Sequence, residues 1–361
     1  MKPIDLSPTL IVGTGLVGAS VGCALTAAGV RVHLTDAVPA HALVAASRGA
    51  GTVDPVDPAA VRLVVVAVPP AHLADEVAAA LQAYPRATVT DVGSVKGTII
   101  NDLRARGGLK LKRYCGGHPM AGSHHAGPLT ARADLFVDRT WVVAPHDTAA
   151  AAAVLDVQEL ARLCGARVVT LGPAHHDEAV AEVSHVPHLL SAVMAAQLHD
   201  VPPEHLRLAG QGLRDVTRIA GGDPALWVQI ISANREAVRA LLADVRESLS
   251  ELMGILDDEA RIGAGELEGF LGLGRAGTRL IPGKHGAPAR DYAQVSVEIP
   301  DAPGALARLF ADIGEAGFNV EDVSMDHDDE REVGWLNVQV APERAAELEA
   351  TMTAAGWTVR H

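Results

Sequence analysis

Thr9-Leu10-Ile11-Val12-Gly13-Thr14-Gly15-Leu16-Val17-Gly18 is the stretch that decides the fold of this 361-residue chain. An apolar run leads straight into a Gly-x-Gly-x-x-Gly spacing, and an Ala-rich helical pattern follows. Strand, glycine turn and helix in that order form the fingerprint of a dinucleotide-binding βαβ unit. Gly13 permits the tight turn, Gly15 lets backbone approach a pyrophosphate, and Gly18 lets helix and strand pack closely. The helix start at Leu16 and Val17 turns unpaired N–H groups toward the phosphate charge. Asp36, at the end of the next apolar run, is placed to accept the ribose hydroxyls. A carboxylate there repels a 2′-phosphate, which favours NAD over NADP.

Outward from this unit, residues 9–170 alternate short β-branched runs with Ala-rich segments. The runs predict strands at Thr9–Val12, Val32–Thr35, Leu63–Val68, Thr88–Asp91, Tyr114–Gly116, Trp141–Ala144 and Arg167–Thr170. The continuous run from Leu63 to Val68 reads as a strand buried on both faces, as a parallel sheet requires. Val68 and Pro69 end that strand at the sheet's carboxyl edge, on the side where a nicotinamide lies. The fold class is therefore α/β, with a Rossmann-like doubly wound domain over residues 1–173.

The pattern then turns helical over residues 174–282. Asp223-Pro224 reads as a helix start, with Asp as cap and Pro in the first turn. The helix is predicted to run unbroken to Leu256. Val238, Leu242, Val245, Leu249, Leu252 and Leu256 repeat at alternating spacings of four and three, an apolar seam suited to a homodimer. Residues 263–290 are rich in Gly and Pro and read as a linker. Residues 290–361 then give strand, helix, strand, strand, helix, strand, a ferredoxin-like βαββαβ pattern.

Bulk composition excludes several classes. The formal net charge is −14, which argues against nucleic-acid or anionic-membrane binding. Residues 290–361 hold 15 acidic and 5 basic residues, consistent with a separate C-terminal module. Cys23, Cys115 and Cys164 form no CxxC pair and read as small buried thiols of a cytoplasmic protein. The N-terminus carries no apolar signal region, and no apolar run reaches the roughly 18 residues of a membrane span.

Four further segments carry the chemistry. They are Asp91-Val92-Gly93-Ser94-Val95-Lys96-Gly97; Gly116-Gly117-His118-Pro119-Met120-Ala121-Gly122; Ser184-His185-Val186-Pro187-His188; and Arg214-Asp215-Val216-Thr217-Arg218-Ile219-Ala220. In this order and spacing the chain resembles the prephenate/arogenate dehydrogenase family over about residues 9–260. The resemblance implies an NAD-dependent oxidative decarboxylation in tyrosine biosynthesis. Hydride leaves the hydroxyl-bearing ring carbon, carbon dioxide leaves the opposite carbon, and aromatisation drives the step. It implies His118 as the acceptor for the hydroxyl proton, with Ser94 orienting that hydroxyl. Arg218 and His188 match substrate-binding positions, with His185 beside them. Lys96 faces the anionic substrate or cofactor, or else is a solvated side chain. Asp215 is expected to brace Arg218, and Trp227 to serve as core or pocket wall. The paired histidines (His124-His125, His175-His176) lack a second ligand cluster, so no metal is expected.

Asp301-Ala302-Pro303-Gly304 followed by Gly317-Phe318-Asn319 resembles an ACT regulatory domain, as does the preceding joint over residues 281–286. That implies an amino-acid effector, L-tyrosine first, contacted by Asp301, Gly304 and Asn319. Prephenate and arogenate differ only by a keto or amino group, and both stay open as substrate. A β-hydroxyacid dehydrogenase would place a lysine in the helical domain, and no such signature is present. A non-catalytic NAD- and amino-acid-responsive regulator would have no need of His118, Ser94 and Arg218 together.

Overall fold

The computed structural model describes residues 4–122, 127–281, 292–328 and 333–360. The chain forms two compact units, Met1–Ser250 and Glu251–His361.

The first unit is built on four parallel strands, β1 (Thr9–Val12), β2 (Val32–Thr35), β3 (Leu63–Val66) and β4 (Thr88–Asp91), in the order β2-β1-β3-β4. The helices α1 (Leu16–Ala27), α2 (Pro39–Ser47), α3 (Pro70–Ala83) and α4 (Gly97–Arg106) alternate with them. Every residue of β3 is fully buried. Leu63 and Val65 join one apolar cluster, while Val64 and Val66 join another with Leu10 and Val89. The chain leaves β1 in one direction and β3 in the other, so the crevice between their carboxyl ends is the switch point where α/β sheets bind ligands.

A second sheet of three strands follows: β5 (Gly116–Pro119), β6 (Thr140–Ala144) and β7 (Arg167–Thr170), with α5 (Ala151–Leu163) between the last two. β5 runs antiparallel to β6. The predicted strand at Tyr114–Gly116 is thus shifted toward the C-terminus. Tyr114 makes only a single bridge to Val89, and His118 lies inside the strand instead of in a loop. The glycines make this path possible. A Cβ on Gly117 would sit 2.8 Å from the Asp91 carbonyl oxygen, and one on Gly116 would sit 2.9 Å from the Lys96 side chain.

The helical part contains α6 (Pro173–Val180), α7 (Val186–Gln197), α8 (Pro203–Leu206), α9 (Gln211–Arg218), α10 (Pro224–Ala233) and α11 (Arg235–Leu256). A π-helical turn, Ala181–His185, joins α6 to α7. Among the described residues, the continuous run Pro173–Asp200 is long and apolar enough by length and composition to cross a membrane. The sequence reading missed this, because Asp177, Glu178, Glu182 and five histidines interrupt the run's apolar residues. Buried core helices of globular domains pass the same test.

The predicted single helix from Pro224 to Leu256 is two helices. Asp223 caps α10 through the Ala225 N–H at 2.9 Å, as expected. The helix then breaks at Asn234, whose side chain is drawn into the interior. The apolar seam also divides. Val238, Leu242 and Val245 pack on Ala181 and Val186, whereas Leu249 and Leu256 are exposed.

In the second unit, α12 (Glu259–Gly263) and α13 (Glu266–Thr278) occupy much of the stretch read as a linker. Gly269, Gly272, Gly274 and Gly277 stand singly among helix formers, each costing about 1 kcal/mol relative to alanine without ending the helix. Asp258 caps α12, and α13 opens with Glu266 and Glu268 and ends near Arg275, which complements its dipole. Residues 282–286 of the expected joint lie outside the described residues.

The remaining elements are β8 (Ala293–Pro300), α14 (Ala305–Glu315), β9 (Asp322–Asp328), β10 (Val333–Val340), α15 (Ala345–Ala354) and β11 (Val359–Arg360). Their antiparallel sheet has the order β11-β8-β10-β9, the ferredoxin-like arrangement. Val295, Val297, Leu309, Leu348 and Met352 fill its core.

Candidate active site

The cofactor cradle is built by the turn after β1. Gly13 has a positive φ of 91°, and a Cβ there would lie 2.5 Å from the Ala67 carbonyl oxygen at the end of β3. A Cβ on Gly18 would overlap the Gly13 carbonyl oxygen. Around Gly15, by contrast, a Cβ would meet open space. Gly15 caps α1 without a side chain, and the first-turn N–H groups at Leu16 and Val17 have no acceptor within the helix. This surface fits a dinucleotide pyrophosphate. Val68 is half-buried and Pro69 exposed at the β3 end of the same crevice.

Asp36 is more engaged than the sequence implies. Its Oδ2 accepts from the Thr14 N–H at 2.7 Å and the Thr14 hydroxyl at 2.9 Å, and its Oδ1 accepts from Val38 N–H at 2.9 Å. Burial pushes its pKa up, but these hydrogen bonds outweigh burial and hold it below the usual carboxylate value. The carboxylate therefore braces the glycine turn and remains charged. A carboxylate has about four acceptor positions, which leaves room for a ribose hydroxyl beside these three donors.

Past the cradle, four imidazoles cluster in the interior. His118 is buried on β5. Its Nδ1 lies 2.8 Å from Nε2 of the fully buried His176, whose own Nδ1 lies 2.8 Å from Asp177 Oδ1. Asp177 also accepts the backbone N–H groups of Lys96 and Gly97, at 2.8 and 2.7 Å. The start of α4 is thereby anchored to α6. Burial, and then the nearby His176, Lys96 and His185, hold the His118 pKa well below the ordinary histidine value. His118 is consequently neutral at pH 7, as a proton acceptor must be.

His185 and His188 lie at the end of the π turn and on the first turn of α7. His185 is buried, and Asn234 Nδ2 approaches its Nδ1 at 3.1 Å while donating to the Asp177 carbonyl at 2.7 Å. Burial is the main cause that lowers its pKa to about 4. His188 stacks on Trp227 with centroids 3.7 Å apart and planes 11° apart. Its Nδ1 is buried with no hydrogen-bond partner among the described residues. Trp227, expected as core or pocket wall, is half-buried and forms this stack.

The depressed value for His185 has a consequence for stability. Its folded-state pKa lies below the unfolded value, so the unfolded chain binds the proton first. Stability is complete above about pH 6.5 and falls as pH drops toward 4. We expect this one group to remove about 3 kcal/mol over that range. Urea denaturation at pH 7 and pH 4.5 measures the slope, and the variant His185→Asn loses this contribution.

Other expected site residues are placed differently. Lys96 is neither solvated nor open to a ligand. It is buried, ion-paired to the equally buried Asp91, and donates to the Gly117 carbonyl at 2.8 Å. Tyr114 donates its hydroxyl to the other Asp91 oxygen at 2.7 Å. The reason is position: the Lys96 stem has only the interior between β4 and β5 to enter. Ser94 is half-buried and lines a cavity of about 300 Å³ with Gln229 and Ile230 of α10. No hydrogen bond joins it to His118 among the described residues.

Arg218 is exposed at the last turn of α9. Ser191 of α7 holds that segment on both sides, donating to Val216 O at 2.6 Å and accepting from Ala220 N at 3.1 Å. Asp215 does not brace Arg218; it accepts from Gln211 at 2.8 Å. His176, Asp177 and Asn234 are the participants that sequence reasoning missed. The sequence reading has His176 only with His175, as a pair weighed for a metal, and does not single out Asp177 or Asn234. Asp301 and Gly304 lie exposed at the mouth of α14, while Asn319 is bonded to Glu321 at 2.6 Å. Among the described residues no group of three or more potential ligands is placed to hold a metal ion. His124 and His125 lie outside the described residues.

A probable prephenate dehydrogenase of Streptomyces niveus is 34% identical over 347 residues, which cover 94% of this chain and 95% of that one. The chain belongs to the prephenate dehydrogenase family.

Two family models match successive parts of it. The prephenate dehydrogenase nucleotide-binding domain matches residues 21–170, and the dimerization domain of the same family matches residues 172–265. The prephenate dehydrogenase of Lactococcus lactis is 27% identical, covering 72% of this chain and 71% of that one. Among solved structures, prephenate dehydrogenase from Aquifex aeolicus in complex with hydroxyphenyl propionate and NAD+ superposes with a TM-score of 0.67 at 26% identity. That match covers 77% of this chain and 99% of the other. As a member of this family, the chain is an oxidoreductase with an NAD-binding domain. Its dimerization domain exposes Val183, Val193, Met194, Leu208, Val216 and Val228.

Proposed function

We propose that the protein is an NAD-dependent prephenate dehydrogenase that converts prephenate to 4-hydroxyphenylpyruvate in tyrosine biosynthesis. The observation that carries this reading is the buried, neutral His118 on β5, which follows the Tyr114 bridge to β4 of the cofactor-binding sheet. His118 takes the hydroxyl proton of the substrate, and Ser94 orients that hydroxyl. Bound NAD supplies the hydride acceptor. Breaking the ring-to-carboxylate bond releases carbon dioxide, and its electron pair restores the aromatic ring. Arg218, His188 and His185 hold the dianionic substrate, so positioning carries much of the rate.

Prephenate is preferred to arogenate on charge. An amino group would call for a carboxylate near the substrate side chain. The carboxylate of the imidazole cluster is Asp177, and its two oxygens are taken by Lys96, Gly97 and His176. The remaining groups assigned to the substrate are histidines and an arginine.

On this reading residues 1–173 bind the cofactor, residues 174–282 complete the substrate site and pair two chains into a homodimer, and residues 290–361 regulate. The regulatory ligand is L-tyrosine, met by Asp301, Gly304 and Asn319 of an ACT-like domain. The enzyme works in the cytoplasm, where NAD and its substrate are made.

NADH formation at 340 nm tests the proposal, with prephenate and arogenate in parallel and NAD or NADP as oxidant. Turnover is expected with prephenate and NAD, with added L-tyrosine lowering the rate. A higher kcat/KM with arogenate overturns the substrate. NAD binding with no turnover of either substrate transfers the reading to an NAD-responsive regulator.

A further inference from the structure

We infer that His176 and Asp177 are positioning residues that set the tautomer of His118, so that Nε2 is its one unprotonated nitrogen. The inference rests on the reading of His118 as proton acceptor. It starts from the donors and acceptors of one continuous chain.

Asp177 is the fixed end. Its two oxygens accept from the backbone N–H groups of Lys96 and Gly97, and a carboxylate offers no proton of its own. The contact of 2.8 Å to His176 Nδ1 must therefore carry the proton on the imidazole. A neutral imidazole has one N–H, so His176 Nε2 is an acceptor. The next contact, also 2.8 Å, is to His118 Nδ1, and the proton there must sit on His118. His118 Nε2 is left with a lone pair. The two rings meet edge to face, 66° apart with centroids 5.1 Å apart, which directs one ring's N–H to the other's lone pair.

The neighbouring pair has the opposite polarity. The Asn234 amide nitrogen donates to the Asp177 carbonyl, so its second hydrogen meets His185 Nδ1. That nitrogen is an acceptor, and His185 presents Nε2–H as a donor. Asp177 thus anchors two imidazoles of opposite character, through its side chain and through its carbonyl. Residues 58 apart in sequence are joined by the first relay and residues 49 apart by the Asn234 contact.

During turnover the substrate hydroxyl proton moves to His118 Nε2. The resulting imidazolium already has its second N–H bonded to His176, which Asp177 backs with negative charge. Neither His176 nor Asp177 touches the substrate in this scheme.

The test is carried out on the full-length protein with His176→Phe and His176→Gln. Phenylalanine keeps a ring but removes the acceptor; glutamine returns an acceptor oxygen to about the Nε2 position. Two-bond 1H–15N correlation spectra of wild type are expected to show His118 protonated on Nδ1. His176→Phe should lower kcat about 100-fold, within the range for general-base positioning, with KM for prephenate and the NAD Kd within about threefold. His176→Gln should recover kcat to within about tenfold of wild type. A wild-type spectrum with the His118 proton on Nε2 overturns the inference. So does equal loss in both variants, or unchanged kcat in a folded His176→Phe. Should wild type turn over neither substrate, the functional reading fails, and the spectrum still decides the tautomer.

Discussion

Replacing His118 by asparagine is expected to lower kcat about 1000-fold and leave NAD affinity unchanged. Asparagine places its amide near the position of Nδ1 and can still donate to His176. What it lacks is the basic nitrogen at the Nε2 position. General acid–base groups contribute about 100- to 10,000-fold, and burial first, then the nearby His176, Lys96 and His185, keep His118 neutral. The cofactor cradle lies on Gly13, Gly15, Gly18 and Asp36, none of which contacts His118. Stopped-flow measurement of NADH formation gives kcat, and quenching of tryptophan fluorescence on titration gives the NAD Kd. A kcat within tenfold of wild type removes His118 from the chemistry.

Replacing Lys96 by methionine is expected to damage the fold before it damages substrate binding. Asp91 would be left with no exposed surface and, among the described residues, the Gly93 N–H and the Tyr114 hydroxyl as the remaining donors to its side chain. Removing one partner of a buried ion pair costs about 3–5 kcal/mol. In a unit of this size that is a fall in Tm of about 10 °C, readable by circular dichroism. The double variant Lys96→Met/Asp91→Asn should regain part of the loss, because it no longer strands a charge. A direct substrate contact, as the sequence reading had it, would instead raise KM with Tm unchanged.

The two variants separate what local sequence encodes from what it does not. His118 is legible because its neighbours constrain it: the flanking glycines and proline admit few roles. Lys96 is equally visible as a residue, but its environment is not. A lysine two residues after a serine in a turn reads as solvated, and only the arrival of β5 above it seals it from water. The same holds for the helix break at Asn234. Nothing in the run from Pro224 to Leu256 opposes helix strongly, and the break follows from side-chain partners on α6 and the π turn. The glycine-rich stretch after Gly263 errs in the other direction, since composition suggested a linker where isolated glycines are carried within α13.

By itself the sequence determined the parallel sheet, the glycine turn for the dinucleotide and the ferredoxin-like C-terminal pattern, and it singled out His118. Each depends on residues within a few places of one another, where periodicity, turn geometry and helix ends act directly. Tertiary structure alone decided that Lys96 is an interior ion pair, that Asp36, expected to accept the ribose hydroxyls, also braces the glycine turn, and that His176, Asp177 and Asn234 join the imidazole cluster. Those outcomes depend on which distant surfaces exclude water together. A hydrogen bond between residues 58 apart leaves no local spacing from which to read it.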